Sequence, residues 1–175
     1  SEDDSASRQL ARLRQIYRQQ QDYMVAHQQV ARVLREFDFP VIWSLFQMEK
    51  RGMKLDTALL ERMGEELRAE VSQLEQQMYA MAGSEFNAAS PAQLSEVLFT
   101  KLQLPTTGIK KGKTGYSTGQ KELDKLRGQH PIIELIERYR ELTKLISTYI
   151  EALPKLVAAD GRIHTTFNQD VTSTG

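Results

Sequence analysis

The chain contains no cysteine. Structural disulfides, thiolate metal sites and a cysteine nucleophile are therefore excluded together. It also lacks any apolar run near the roughly 20 residues that cross a bilayer. The N-terminus has no charged start followed by an apolar stretch and a cleavage site, so a soluble, unexported, cytoplasmic protein with no membrane partner is expected. Net charge is missing too: 23 basic residues balance 23 acidic ones, and no global field draws a polyanion to the molecule. The chain starts at Ser1 rather than Met and stops at Gly175 inside a motif, which predicts a piece of a longer protein.

What is present reads as helix. With 175 residues, 40% of them apolar, the chain can form one or two small domains, and its apolar residues recur at helical spacing rather than in strand-like alternation. Residues 7–36 are rich in Gln and Arg, with Leu10, Leu13, Ile16, Tyr17, Val25, Val30, Val33 and Leu34 at roughly helical intervals. Pro40 disfavours helix at the residue before it, which makes Phe39 a junction and starts a second helix over Val41–Lys50, closed by Gly52 as a left-handed cap. Asp56 is placed to cap a long helix carrying Leu60, Met63, Leu67, Val71, Leu74, Met78 and Met81, whose spacings of three and four define one apolar face. Such a seam serves a helical hairpin or a partner helix equally well.

Gly83 ends that helix. Ser90-Pro91-Ala92-Gln93 has the form of a capping box with Pro at the first helical position, predicting a short helix through Phe99. Residues 104–118 form the one long loop, with three glycines and three lysines. Ser117 with Gln120, or Thr118, then starts a short helix that ends near Gly128. Pro131 opens the major helix, Ile132 to about Leu153 and about 30 Å long. Its apolar stripe is Leu135, Ile136, Tyr139, Leu142, Leu145, Ile146, Tyr149, Ile150 and Leu153. After Pro154 and a turn at Asp160-Gly161, alternation of Ile163, Thr165 and Phe167 suggests one strand.

Charge is neutral overall but unevenly spread. Between Lys101 and Thr148 there are ten Lys or Arg and five acids, a net +5, and the remainder holds 13 basic and 18 acidic residues, a net −5. Such asymmetry suits a polyanion-facing surface, although solvated helices also scatter charge. Gly108-Ile-Lys-Lys-Gly112-Lys113-Thr114 invites comparison with a phosphate-cradling P-loop, but it is one residue short and no apolar strand precedes it. It reads instead as a basic loop whose lysines can reach phosphates.

On the major helix Arg140 and Lys144 stand four residues apart, and Ser147 and Thr148 continue their face. Cations and hydroxyls in such a stripe suit phosphate oxygens without reading sequence. The competing reading pairs both bases with Glu137 and Glu141 along the helix. Asn168, Gln169, Thr172 and Thr174 form an uncharged polar cluster suited to a minor groove, where every base pair offers acceptors, or simply to a polar edge strand. His27, His130 and His164 each lack a second ligand at i+3 or i+4 and read as surface or capping residues. The acidic run Glu2-Asp3-Asp4 reads as a frayed terminus, so no metal ligands and no catalytic residues are assigned.

The succession FPVIWSLFQMEKRGMKLD, FNAASPAQLSEVLF, LPTTGIKKGKTGYST, HPIIELIERYRELTKLISTYIEALPKL and GRIHTTFNQDVTSTG resembles the family A DNA polymerases, the DNA polymerase I type, over about 37–175. The resemblance implies a mainly α fold: a helical thumb subdomain with a long helical hairpin, plus a short β segment at the C-terminus where the palm begins. It divides the chain into 1–38, the last helices of a 3′–5′ exonuclease-like domain, 39–160, the thumb and its base, and 161–175, the start of the palm. SEDDSAS resembles the end of the third exonuclease motif, which would put a metal-binding carboxylate at Asp3; the Tyr that normally precedes it lies outside the chain.

The resemblance further implies a DNA-directed DNA polymerase as parent, acting in replication or repair. Its thumb would grip primer-template duplex through Ser90, Lys113, Ser117, Arg140 and Lys144, with Asn168, Gln169, Thr172 and Thr174 near the minor groove. Two positions depart from the pattern: Ala89 where Asn is common and Ile146 where Lys is common, both read as lost DNA contacts. The magnesium-dependent chemistry and the deoxynucleoside triphosphate site of the family map downstream of Gly175, so this piece is expected to be inactive by itself, without cofactors of its own, and monomeric. A helical protein–protein interaction module without catalysis is the alternative.

Overall fold

The computed structural model describes residues 2–112, 115–169 and 171, with side chains described from residue 7 onward. The chain is mainly α. In order it forms α1 (Glu2–Ala26), α2 (Gln28–Val33), α3 (Phe39–Arg51), β1 (Met53–Lys54), α4 (Thr57–Ala82), α5 (Pro91–Ser95), β2 (Lys111–Gly112), β3 (Gly115–Tyr116), α6 (Gln120–Leu126), α7 (Ile132–Leu145) and β4 (Arg162–Ile163). Wider, π-type turns over Leu34–Asp38, Glu96–Lys101 and Ile146–Ile150 follow α2, α5 and α7, and a 3₁₀ turn spans Leu153–Leu156. Two compact units result, one made of 1–53 with 164–175 and the other of 54–163.

The second unit holds the core. α4 begins where Asp56 Oδ1 accepts the Leu59 N–H at 2.9 Å, and it ends at Gly83 with φ 69°, ψ 10°. That left-handed position carries no Cβ penalty in glycine. Of the α4 seam, Leu74 (8% exposed) and Met78 (0%) are buried, whereas Met63 and Met81 remain 43% and 37% exposed. The buried part faces α7. Gly64 lies against Ile150 and Glu70 pairs with Arg138 at 2.8 Å. Farther along α4, the Glu75 carboxylate acts on Tyr139, helping to raise its pKa. The two helices therefore run antiparallel, a long hairpin in space, and the seam is occupied from within the unit.

α7 buries a narrower stripe than its sequence suggests. Ile136, Tyr139, Leu142, Ile146 and Ile150 are at most 8% exposed, but Leu145 and Tyr149 are 37% and 51% exposed. Ile132 and Ile133, both fully buried, extend the stripe at the N-terminal end instead. Regular α-helix stops at Leu145 rather than near Leu153, because Ile146–Ile150 widens, with the Glu151 N–H bonding the Ile146 carbonyl at 2.9 Å. His130 begins α7 as a capping residue: its Nδ1 accepts the Ile132 N–H at 3.1 Å.

Several local expectations need correction. Phe39 is no junction, since the turn at Leu34–Asp38 runs straight into α3 and Pro40 sits in its first turn, where an amide donor is not required. Gly52 has positive φ, but at φ 65°, ψ 177° it is extended in ψ rather than left-handed helical. The capping box closes differently as well: Gln93 Oε1 accepts from Asn87 N–H at 2.7 Å, not from Ser90. α6 is capped by neither Ser117 nor Thr118; it starts after Gly119, whose carbonyl accepts from Glu122 and Leu123. Residues 104–118 are not all loop, because β2 and β3 pair antiparallel with Lys111 opposite Tyr116 and Gly112 opposite Gly115. Near the C-terminus the strand is short, Arg162–Ile163, and does not continue through Thr165 and Phe167.

In the first unit Ala31 is the one buried hydrophobic among the described residues, at 5% exposure. α3 leads into a clamp. His164 Nδ1 lies 2.7 Å from the Glu49 carbonyl, and the Phe167 N–H donates to Glu49 Oε1 at 2.6 Å. A Cβ on Gly52 would stand 2.8 Å from the His164 ring, so only glycine fits beneath it.

The tightest approach between helices yields a test. A Cβ at Gly64 would approach Ile150 Cγ2 to 2.6 Å, and a β-branched methyl on a packed turn cannot swing away. Overpacking of about 1–3 kcal/mol should outweigh the gain of about 1 kcal/mol from replacing a helical glycine. Gly64→Ala is therefore expected to lower the thermal unfolding midpoint; a raised midpoint would show that the α4–α7 spacing is not set there.

Candidate nucleic-acid interface

A cleft of about 430 Å³ opens on the second unit. Its walls are Pro91 at the start of α5, Lys110, Gly112, Gly115 and Tyr116 of the hairpin and its approach, the segment Ser117–Gly119, and Arg140 of α7. The hairpin is fixed in place by close packing: a Cβ on Gly115, whose φ is 131°, would reach 3.0 Å from Ser95 Oγ. The Tyr116 ring packs on Phe99 at 5.1 Å between centroids and carries Lys111 Nζ 5.3 Å above it. Among the described residues the lining thus includes two cations, Lys110 and Arg140, and no carboxylate.

Two hydroxyls, Ser117 in the cleft lining and Ser90 one residue before its Pro91 wall, make the same kind of hydrogen bond. Ser90 Oγ accepts the Gln93 N–H at 3.5 Å, and Ser117 Oγ accepts the Gly119 N–H at 3.3 Å. Each uses a lone pair on the backbone, which leaves its own O–H to donate to an acceptor from outside. Arg140 is half-buried; its Nη1 donates to the Thr118 carbonyl at 2.6 Å and its Nη2 lies 3.4 Å from Thr118 Oγ1. Burial pulls its pKa down from the ordinary arginine value, which still leaves the group charged at neutral pH.

The carboxylates expected to neutralise α7 are engaged elsewhere. Glu137 takes Arg127 in a two-pronged pair, with Arg127 Nη2 at 3.0 Å and Nε at 3.1 Å from Oε1. Glu141 takes Arg138 at 2.9 Å. Lys144 is exposed and has no ion pair among the described residues. The i,i+4 pairing reading of this face is therefore overturned, and a basic, hydroxyl-bearing face remains. Ser147 Oγ donates to the Lys144 carbonyl at 3.2 Å.

The structure brings Ser117 and Arg140 together at one cleft, with Ser90 beside it and Lys144 one turn further along α7. Asn168 and Gln169 are exposed and belong to the other unit, beyond the Glu49 clamp. Lys113, Thr172 and Thr174 lie outside the described residues, as does the side chain of Asp3. Ile146 is 8% exposed within the α7 stripe, so this position is part of the core rather than a bare surface site. Ala89 is exposed, its N–H donating to Asn87 Oδ1 at 2.9 Å.

Sequence reading took Lys110 only as one of the loop lysines and Thr118 only as a possible helix start, and it passed over Glu122. Glu122 is only 9% exposed; its Oε2 accepts from Lys125 Nζ at 2.7 Å and from the Lys110 N–H at 3.4 Å, and Lys125 Nζ also donates to the Gly108 carbonyl at 2.8 Å. One carboxylate thus ties α6 to the approach of the hairpin. Its signal in the sequence was an acid three residues ahead of a lysine, with Asp124 between them, inside a +5 segment.

A model of DNA polymerase family A matches residues 57–175. The chain belongs to this family. It is 50% identical over 145 residues to DNA polymerase I of Geobacillus stearothermophilus, covering 82% of this chain and 16% of that protein. To the thermostable DNA polymerase I of Thermus aquaticus it is 47% identical over 143 residues, covering 81% and 17%. Among solved structures it matches the POL domain of Pol1 from M. smegmatis, in complex with DNA primer-template and dNTP, with TM-score 0.70, 35% identity, and coverage of 88% of this chain and 27% of that one. The chain thus spans about a sixth of the length of the curated polymerases it matches.

The Glu122 pair is expected to make the tie between α6 and the approach to the hairpin acid-sensitive. The Lys125 hydrogen bond, opposed by burial and helped by the Lys110 N–H, holds the carboxyl below its ordinary value. A depressed folded pKa contributes stability above the unfolded value, and this is lost as pH falls through the folded one. Glu122→Gln should therefore weaken the fold at neutral pH and flatten the loss below the ordinary glutamate range, checked by thermal unfolding from neutral to acid pH.

Proposed function

We propose that this chain is the part of a DNA-directed DNA polymerase that grips primer-template duplex during replication or repair synthesis, its second unit acting as the thumb. The observation that carries the reading is the cleft, where the Ser117 hydroxyl stands with Lys110 and Arg140 and the described lining residues include no acid, Ser90 being next in sequence to its Pro91 wall. Lys144 extends the cationic face along α7. Hydroxyls and fixed cations hold phosphate oxygens without reading bases, which suits an enzyme that must copy any sequence. The bound primer-template in the M. smegmatis structure supports the same ligand.

Lys113, Asn168, Gln169, Thr172 and Thr174 carry the same expectation by position. The described residues contain no group of three or more His, Asp or Glu side chains fit to hold a metal. Magnesium and deoxynucleoside triphosphates belong, in this reading, to the whole polymerase; residues 1–175 alone are expected to be inactive and monomeric. No helix among the described residues is long and apolar enough to cross a membrane. The alternative, a module that binds a partner helix through the α4 seam, is weakened because α7 occupies the seam's buried part.

The reading predicts weak, sequence-independent binding to duplex DNA that falls with salt. Lys144→Ala should weaken it equally on unrelated duplexes and reduce the salt slope by about 0.9, the share of one phosphate contact. Fluorescence anisotropy over a salt series measures both, and an unchanged slope would remove α7 from the contact surface.

A further inference from the structure

We infer that Arg140 is a positioning residue, holding Thr118 so that Ser117 faces the DNA backbone, rather than a phosphate contact itself. Sequence spacing makes Arg140 and Lys144 equivalent partners on one face; the geometry separates them. Lys144 is exposed. Arg140 reaches back 22 residues to grip both the carbonyl and the hydroxyl of Thr118.

Thr118 is 4% exposed, so its carbonyl has little water to turn to. Swinging the guanidinium toward a phosphate would leave that buried acceptor without its donor, a loss that opposes whatever the new phosphate bond supplies. The held segment matters because of what flanks it. The Ser117 N–H bonds the Lys110 carbonyl at 2.7 Å, and the Gly119 N–H bonds Ser117 Oγ. The direction of the Ser117 hydroxyl therefore follows from where Thr118 is held. A planar fork with several N–H groups can serve a carbonyl and a hydroxyl of one residue together, whereas a lysine ammonium, a point charge on a flexible stem, does not reproduce that geometry.

This inference rests on the DNA-gripping reading only for its binding half, and the experiment separates the two. Residues 1–175 are compared with Arg140→Lys and Arg140→Gln by amide hydrogen exchange and by anisotropy with a labelled duplex over a salt series. A positioning role predicts that Arg140→Lys, despite keeping its charge, speeds exchange at the Ser117 and Gly119 amides by about ten-fold, the scale of one lost hydrogen bond. Duplex affinity should drop several-fold in both variants with the salt slope unchanged. Wild-type exchange and affinity in Arg140→Lys, together with a slope reduced by about 0.9 in Arg140→Gln, would instead make Arg140 a direct phosphate contact and overturn the inference. Should the unsubstituted chain bind DNA without salt dependence, the DNA reading fails by itself; the exchange rates then still decide, and unchanged rates in Arg140→Lys sink the positioning role.

Discussion

Everything in the second unit depends on how closely α4 and α7 approach. Gly64 lets Ile150 in, Met78 is completely enclosed farther along, and Arg138 and Glu70 tie the surface edge of the contact. Tyr139 sits between core and rim: burial, and after it the Glu75 carboxylate, push its hydroxyl pKa up, so it remains a neutral hydrogen-bonding group throughout the ordinary pH range. Around this pair the shorter elements find their places. Leu94, Val97 and Leu98 from the α5 region and Leu123 and Leu126 from α6 fill the same cluster, which is how a helix start, a hairpin and a turn that are remote in sequence come to border one cleft.

The electrostatics follow from that packing. Acids on α4, α6 and α7 are spent on neighbouring arginines and on Lys125, some along one helix, as in Glu122–Lys125 and Glu141–Arg138, and some across elements, as in Glu137–Arg127 and Glu70–Arg138. Exposed pairs of this kind contribute little stability each. Their larger effect is on where positive charge remains uncompensated, and that is at the cleft and the adjoining face of α7. A chain of zero net charge thereby gains a local field suited to a polyanion.

The sequence revealed the long elements well and the short ones poorly, for physical reasons. Seven apolar residues at intervals of three and four left α4 almost no alternative, and Asp56 and Gly83 marked its ends by chemistry that works locally. The β2–β3 hairpin left no such trace, because its four paired residues are Lys, Gly, Gly and Tyr and its anchor is a glycine pressed on Ser95, a contact made in three dimensions only. Arg140 shows the same limit. Its charge and its helix face could be read from spacing, but its partner is 22 residues away across a turn, and nothing in the helix pattern announces it. The Ile146 position is instructive in the opposite direction: family pattern marked it as a missing surface cation, while its apolar spacing had already put it in the stripe where it is buried.

The glycine under Ile150 has a mechanical consequence. Gly64 lies in the first third of α4, and the helix continues from there to Ala82, a stiff arm of roughly 27 Å at 1.5 Å per residue. Leu74, Met78 and Ala82 along that arm are buried in the core it shares with Ile136 and Leu142 of α7, so the arm cannot pivot by itself. The thickness of one methyl group at Gly64 sets how closely the Ile150 end of the hairpin can shut.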